Sequence, residues 1–354
     1  MSDLRLRLAQ NRGLIGAILM FALLYGLYSV LHPRGGSGPL LVQNANESFA
    51  LVLAAMAQTL PVLTGGLDLS VGPLMTLVNC LASQVLNGGP ADLALGIALC
   101  LGAGLLGGFV NGCLVVYGRV QPIVATLASG AVFTGIALLL RPTPGGEIDK
   151  DLSFGLTYDL AELAATFGLF DDGKAPWFAP FAGLPTPVLL VVAIVVLVWL
   201  PFRASVTGRG CYAVGSSEGA AYMSGIAVDR SRLAAYMLAG LFAATAGLYL
   251  ALQTGSGNAD APQAAAYTLN SIAAVVIGGT SLFGGSGGVV GSIFGALVLR
   301  AISFNFRVFD PGSWLGALAD PLLQPFVEGL VLLLAVSLGA ARVLRVRNRL
   351  HLFG

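Results

Sequence analysis

Ten residues set between two long apolar runs, Thr64 to Pro73 (TGGLDLSVGP), carry the chemistry least in keeping with their surroundings. An aspartate near the middle of a membrane span costs about 3 kcal/mol on insertion scales. Broken backbone at membrane depth survives only where protein or a water-filled cavity surrounds it. The segment therefore has two compatible readings. As a helix junction, Gly65 and Gly66 end one helix in the left-handed conformation, Asp68 or Ser70 caps the next, and Pro73 fits its first turn. As the lining of a polar path, Asp68 and Ser70 face a solute.

Other polar groups lie on or beside apolar runs. Asn111 and Thr126 flank the turn at Arg119, where Gln121 and Pro122 start a helix. Such neutral groups either hydrogen-bond between helices or line a path. Asn270 and Ser271 sit inside the run Tyr267–Gly285, which ends in a glycine-rich turn. Glu47 and Glu328 fall in the outer halves of their runs, where a glutamate is a functional candidate and also lies close to water. A different pattern occupies Cys211–Val228 (CYAVGSSEGAAYMSGIAV). Here Ser217 reads as a cap, Glu218, Ala220 and Ala221 as part of a short helix, and Gly225 as its end. It is either an ordinary connecting loop or a small amphipathic helix that docks into a groove on a partner.

What the chain lacks narrows its chemistry. No GxxxxGK[ST] loop binds a nucleotide phosphate, and no HExxH occurs. The two histidines, His32 and His351, fall outside the apolar runs, which argues against a histidine proton relay. Cys80, Cys100, Cys113 and Cys211 have no metal-ligand spacing and suggest no disulfide framework. The residues point to a protein that is not an enzyme by itself and binds no cofactor or metal.

The elements that must position these groups are membrane helices. The 354 residues are 56% hydrophobic and only 10% charged, against roughly 25% charged in a soluble domain. Mean hydropathy is +0.85, and apolar runs of about 20 residues recur from end to end. The 48 glycines suit close helix packing in lipid. With a net charge of +1 and no basic patch, nucleic acid is not an expected partner.

The expected fold is an all-α polytopic membrane protein, one domain over residues 1–354, with about ten transmembrane helices. These are Gly13–Leu31, Leu41–Leu63, the run after Pro73 to Leu86, Leu93–Tyr117, Pro122–Leu140, Pro187–Phe202, Leu233–Leu252, Tyr267–Leu282, Gly288–Phe304 and Leu322–Ala340. The first follows a basic start without a small-residue cleavage site and reads as a retained span rather than a signal peptide. Arg5, Arg7, Arg12, Arg119, Arg203, Arg209, Arg230, Arg232 and the four arginines from Arg342 to Arg349 collect on one side when both termini are cytoplasmic. The acidic loop 141–185 then falls outside, with Trp177, Phe178 and Phe181 as interfacial anchors, and the loop 203–232 inside. A Gly-Gly element recurs at Gly65-Gly66 and Gly278-Gly279, as an internal repeat of the kind found in transporters would leave it.

Four segments together resemble the permease subunits of bacterial ABC sugar importers of the ribose/xylose/galactose class: TGGLDLSVG (64–72), NGCLVVYGRVQPIVATL (111–127), GRGCYAVGSSEGAAYMSGI (208–226) and LNSIAAVVIGGTSLFGGSGGVVGSIFGAL (269–297). The chain departs from the family's usual residues at Gly215-Ser216-Ser217, for Gly-Gly-Asn, at Asn270, for Asp, and at Glu328, where a basic residue is common. The resemblance implies an inner-membrane permease that works with a second permease subunit, identical or not, a periplasmic sugar-binding protein and a cytoplasmic ABC ATPase that uses ATP and Mg2+. It also implies that Ser217, Glu218, Ala220, Ala221 and Gly225 form a coupling helix to the ATPase. The alternative is an ion-coupled secondary transporter, with Asp68, Glu47 and Glu328 carrying protons.

Overall fold

The computed structural model describes residues 11–168 and 180–308, together with Leu323, Phe326, Gly329, Leu330 and Leu333. The expected tenth span, with Glu328, lies outside the described residues apart from those five. Trp177, Phe178, Arg5, Arg7 and the arginines from Arg342 to Arg349 also lie outside.

The described residues form helices and no named strand. In chain order they are α1 (Arg12–Leu31), α2 (Gly38–Leu63), α3 (Val71–Val85), α4 (Pro90–Val116), α5 (Pro122–Leu140), α6 (Lys150–Thr157) and α7 (Leu160–Thr166). Then follow α8 (Thr186–Ala204), α9 (Val206–Ser216), α10 (Glu218–Met223), α11 (Val228–Thr254), α12 (Ala261–Ile277) and α13 (Val289–Val308). Seven of them, α1, α2, α4, α5, α8, α11 and α13, are long and apolar enough to cross a membrane. The expected third and eighth spans are the short helices α3, of 15 residues, and α12, of 17. At 1.5 Å per residue they reach about 22 and 26 Å, short of the hydrocarbon thickness of about 30 Å.

Local chemistry explains the boundaries. Proline sits in the first turn of α2, α4, α5, α8 and α12, where its missing N–H is one that no intrahelical carbonyl would take. The helix α12 starts at Ala261 rather than Tyr267 because Asp260 caps it, accepting from the Gln263 N–H, with Pro262 at the second position. In α8, residues Val195–Trp199 widen into a π-helical turn just ahead of Pro201, which has no N–H to continue the α-helical ladder.

The helices α2 and α2's partner α11 form the centre of the bundle, and α13 lies beside α2; α1 and α8 lie at the periphery. The central helix α11 packs on α4, α2 and α3, with small residues where the backbones cross. A Cβ on Gly104 would stand 2.5 Å from the Gly240 carbonyl, so these positions admit nothing larger than hydrogen. The segment 141–168 folds over one end of the bundle. Ile148 and Leu152 pack with Val78, Ala82, Leu86, Leu248 and Leu252, Ser153 donates to the Leu252 carbonyl at 2.5 Å, and Arg141 donates to Ser83 Oγ at 2.8 Å.

The recurring Gly-Gly elements are the same local structure. Gly65 and Gly279 both have φ of +82°, the left-handed region in which a Cβ is strained. Gly66 N–H bonds to Pro61 O as Thr280 N–H bonds to Val275 O, and Gly65 and Gly279 close the inner bond to Val62 and Val276. Both α2 and α12 therefore end in a Schellman motif. The two loops also meet, through Gly285 N–H and Leu63 O at 3.0 Å.

A methyl group added at Gly72 or Gly295 would strike the carbonyl of Ala264 or Ala274 in the facing helix α12. Gly72→Ala and Gly295→Ala are each expected to destabilise the protein by about 1–3 kcal/mol, the usual cost of overpacking. Gly135→Ala, which meets nothing within 4 Å, should leave stability unchanged. Thermal unfolding in detergent measures all three.

Candidate functional site

The junction between α2 and α3 is held by side chains from three other elements as well as its own. Asp68 is 3% exposed; its Oδ1 accepts from the Ser70 N–H at 2.8 Å and from Ser70 Oγ at 2.6 Å. Asn111 of α4 donates from Nδ2 to the same Ser70 Oγ at 2.7 Å. Thr126 of α5 accepts the Leu69 N–H at 2.9 Å and donates to Pro122 O at 2.8 Å. Gln58 of α2, with its amide turned so that both bonds form, donates to the Asp68 carbonyl at 2.8 Å and accepts from the Asp68 N–H at 3.2 Å. Thr268 of α12 takes the Gly72 N–H at 3.0 Å.

Four of the five junction candidates thus converge: Asp68, Ser70, Asn111 and Thr126. Asn270 does not join them. It is half-buried on α12, two residues past Thr268, while Ser271 turns back to the Thr268 carbonyl. The expected cap also takes another form. Neither Asp68 nor Ser70 supplies an oxygen to a first-turn N–H of α3, because the Ser70 backbone is already α-like (φ −89°, ψ −5°). Asp68 instead closes an Asx turn onto Ser70, two residues on. Only Gly65 of the glycine pair is left-handed.

Two buried polar atoms beside this network have no partner, Asn111 Oδ1 and the Tyr236 hydroxyl. Tyr236 belongs to α11 and lies against Gly66, where a Cβ would come within 2.7 Å of the hydroxyl. It also borders a cleft of about 640 Å³ lined by Thr64, Gly65, Gly66, the α4–α5 turn from Val115 to Pro122, Glu218, Asp229 and Arg232. Arg119 in that turn has φ of +52°, a strained conformation for a residue with a Cβ.

The second candidate region adjoins the same cleft. Ser217 caps α10 by accepting the Ala220 N–H at 3.4 Å, and α10 ends in a Schellman turn with Gly225 at φ +76°. Ala221 packs with Val214 and Val228, while Ala220 and Gly225 are exposed. Glu218 is paired: Arg232 Nη1 and Nη2 donate to its two carboxylate oxygens at 2.9 and 2.7 Å. Cys211, behind α10, is buried, and burial pushes its thiol up to about 12, so it stays protonated at neutral pH.

Sequence reasoning passed over Tyr222 and Met223, which are 71% and 84% exposed on α10. Their signal was two large apolar residues on a helix too short to bury both. It also passed over Arg300, a charge within the apolar helix α13 whose Nε is buried without a partner. Glu47 pairs with Arg307 at 2.7 Å, and both are partly exposed.

Residues 40–336 match the family described as branched-chain amino acid transport system / permease component. The chain belongs to this permease family. It is a membrane-transport subunit and not an enzyme. The ribose import permease protein of Bacillus subtilis is 34% identical over 325 residues, 92% of this chain and 92% of that one. Its namesake in Escherichia coli K12 is 32% identical over 330 residues, 93% of each. The fructose import permease protein of Rhizobium meliloti is 31% identical over 293 residues, 81% of this chain and 73% of that one. No solved structure shows a significant match. Seven apolar helices and this family make the permease a multi-pass membrane protein.

Asn keeps the oxygen that accepts both Ser70 bonds, whereas Ala removes it. Asp68→Asn is expected to keep the fold and near-normal transport, and Asp68→Ala to lose about 1–3 kcal/mol of stability by leaving buried donors unpaired. Melting in detergent and solute uptake distinguish them; a folded Asp68→Asn protein without uptake would assign the charge itself a role in the path.

Proposed function

We propose that this permease imports a monosaccharide or a similar small polar solute across the bacterial inner membrane, driven by a separate ABC ATPase that uses ATP and Mg2+. The observation that carries the reading is the similarity, over nine-tenths of both chains, to permeases named for ribose import. In this reading a periplasmic binding protein delivers the solute and a second permease subunit completes the path. The permease then needs no tight solute site of its own.

The proposed topology has ten spans in one domain, both termini cytoplasmic, 141–185 periplasmic and 203–232 cytoplasmic. It is supported by five of the described arginines: Arg119 lies in the turn between α4 and α5, Arg203 at the end of α8, Arg209 in α9, and Arg230 and Arg232 at the start of α11. The coupling helix is α10, with Ser217 as its cap, Glu218, Ala220 and Ala221 within it and Gly225 as its stop. Tyr222 and Met223 project from a helix that one buried alanine and one ion pair tie to the bundle. A knob of that kind suits a groove on a partner. The polar junction at Asp68, Ser70, Asn111 and Thr126 serves as a rigid part of the path wall rather than as a solute site.

Reconstituted with its ATPase and binding protein, the permease is expected to take up solute only with ATP. Uptake driven by an ion gradient, with no ATPase present, would establish the secondary-transporter reading instead. Gly225→Val, which forces a β-branched residue to φ +76°, should cut uptake about tenfold or more if the end of α10 sets the coupling geometry, since such strain costs on the order of 1–3 kcal/mol.

A further inference from the structure

We propose that Arg232 is the positioning residue through which movement of α10 reaches the junction between α2 and α3. The inference rests on the reading of α10 as the contact for the ATPase, and it changes what Glu218 does there. Its carboxylate faces the permease's own α11, not the partner.

The helix α10 has six residues and two described ties to the bundle. One is Ala221 against Val214 and Val228, a contact of small side chains that can slide. The other is the two-point bond between Glu218 and Arg232, at 2.9 and 2.7 Å. A guanidinium fork bonded to both carboxylate oxygens fixes direction as well as distance, which an ammonium would not. Arg232 stands in the second turn of α11, the 27-residue helix at the centre of the bundle. One turn further, Tyr236 lies on the same face of α11. It is 1% exposed, its hydroxyl has no partner, and it abuts Gly66, two residues before Asp68.

Glu218, Arg232, Tyr236 and Gly66 therefore form a continuous line along one wall of the cleft. The cleft of about 640 Å³ lies along that line. Gly66 has no side chain where the tyrosine meets it, and the hydroxyl has no bond to hold it in place. A push on α10 is passed by the ion pair to the start of α11 and by Tyr236 to the junction. The pair itself is partly exposed, with side chains 25% and 56% accessible, and contributes little to stability. Its removal is a test of transmission rather than of folding.

The test uses the complete complex in proteoliposomes, reading ATP hydrolysed per solute imported for Arg232→Gln, Glu218→Gln and the double exchange Glu218→Arg with Arg232→Glu. Both single variants are expected to assemble, hydrolyse ATP and import about fivefold less solute per ATP, the low end of measured coupling between sites. The double exchange should return the ratio to within about twofold, as expected where one pairwise term is restored. An unchanged ratio in Arg232→Gln, or a double exchange as uncoupled as Glu218→Gln, overturns the proposal and leaves Glu218 bonding to the ATPase directly. The underlying reading is tested apart: Met223→Asp should release the ATPase on purification, and its retention would mean that α10 is not the contact, whatever the exchange variants do.

Discussion

Lipid offers no hydrogen bonds, and every helix end placed among the spans has to find its partners inside the protein. The break between α2 and α3 is where this constraint bears hardest. Seven residues, Thr64–Ser70, interrupt the helical ladder, and their backbone groups go to Pro61, Val62, Gln58 and Thr126. The side chains of Asp68, Ser70 and Asn111 close on one another. The rest of the bundle is arranged around that junction: α4 brings Asn111, α5 brings Thr126 and α12 brings Thr268. Each must approach closely, and the glycines at Gly72, Gly104, Gly108 and Gly240 are where the backbones come together.

The same constraint accounts for the second break, at Gly278–Gly288. It ends α12 by the same Schellman geometry and then lies against the first, where the Gly285 N–H donates to the Leu63 carbonyl. Short helices and left-handed glycines are therefore paired features here. A permease must keep a path open through a medium that penalises open backbone, and two breaks that lie against each other place irregular structure at depth within protein. The cleft beside Gly65 and Gly66, bounded by the α4–α5 turn and by Arg232, lies next to this region.

Electrostatics divides the polar groups into two kinds. Asp68 is enclosed and bonded to hydroxyl and amide groups, with a structural part in the junction. Glu218 and Glu47 lie nearer the surface and are each met by an arginine two-point or single-point bond from another helix. The first sort fixes shape; the second sort joins one helix to another near the surface. Arg300 belongs to neither, since its Nε is enclosed in a span without a bond.

Periodicity, breakers and charge in the sequence determined the membrane class, the positions of the seven long helices to within a few residues and the short capped helix at Glu218–Met223. Those features are local: apolar run length, a serine before a short helix and a glycine after it act on their own neighbours. The resemblance of four segments located the permease family. Tertiary structure alone decided where side chains far apart in sequence meet. Asp68 reads as a helix cap in sequence, but its bond runs to Ser70 because Asn111 and Thr126 arrive from other helices and fix the turn. Glu218 belongs to the short helix that the resemblance assigns to coupling, and Arg232, 14 residues on, folds back to it. Asn270 shares its type with Asn111 yet stands apart from the junction, since helix rotation sets which polar residue faces inward. Helix α3 fills its apolar run, whereas α12 begins six residues ahead of Tyr267, where Asp260 caps it, and stops at Ile277, just before the left-handed turn at Gly279. Bonds of that kind depend on the three-dimensional register of several helices, which no single stretch of residues specifies.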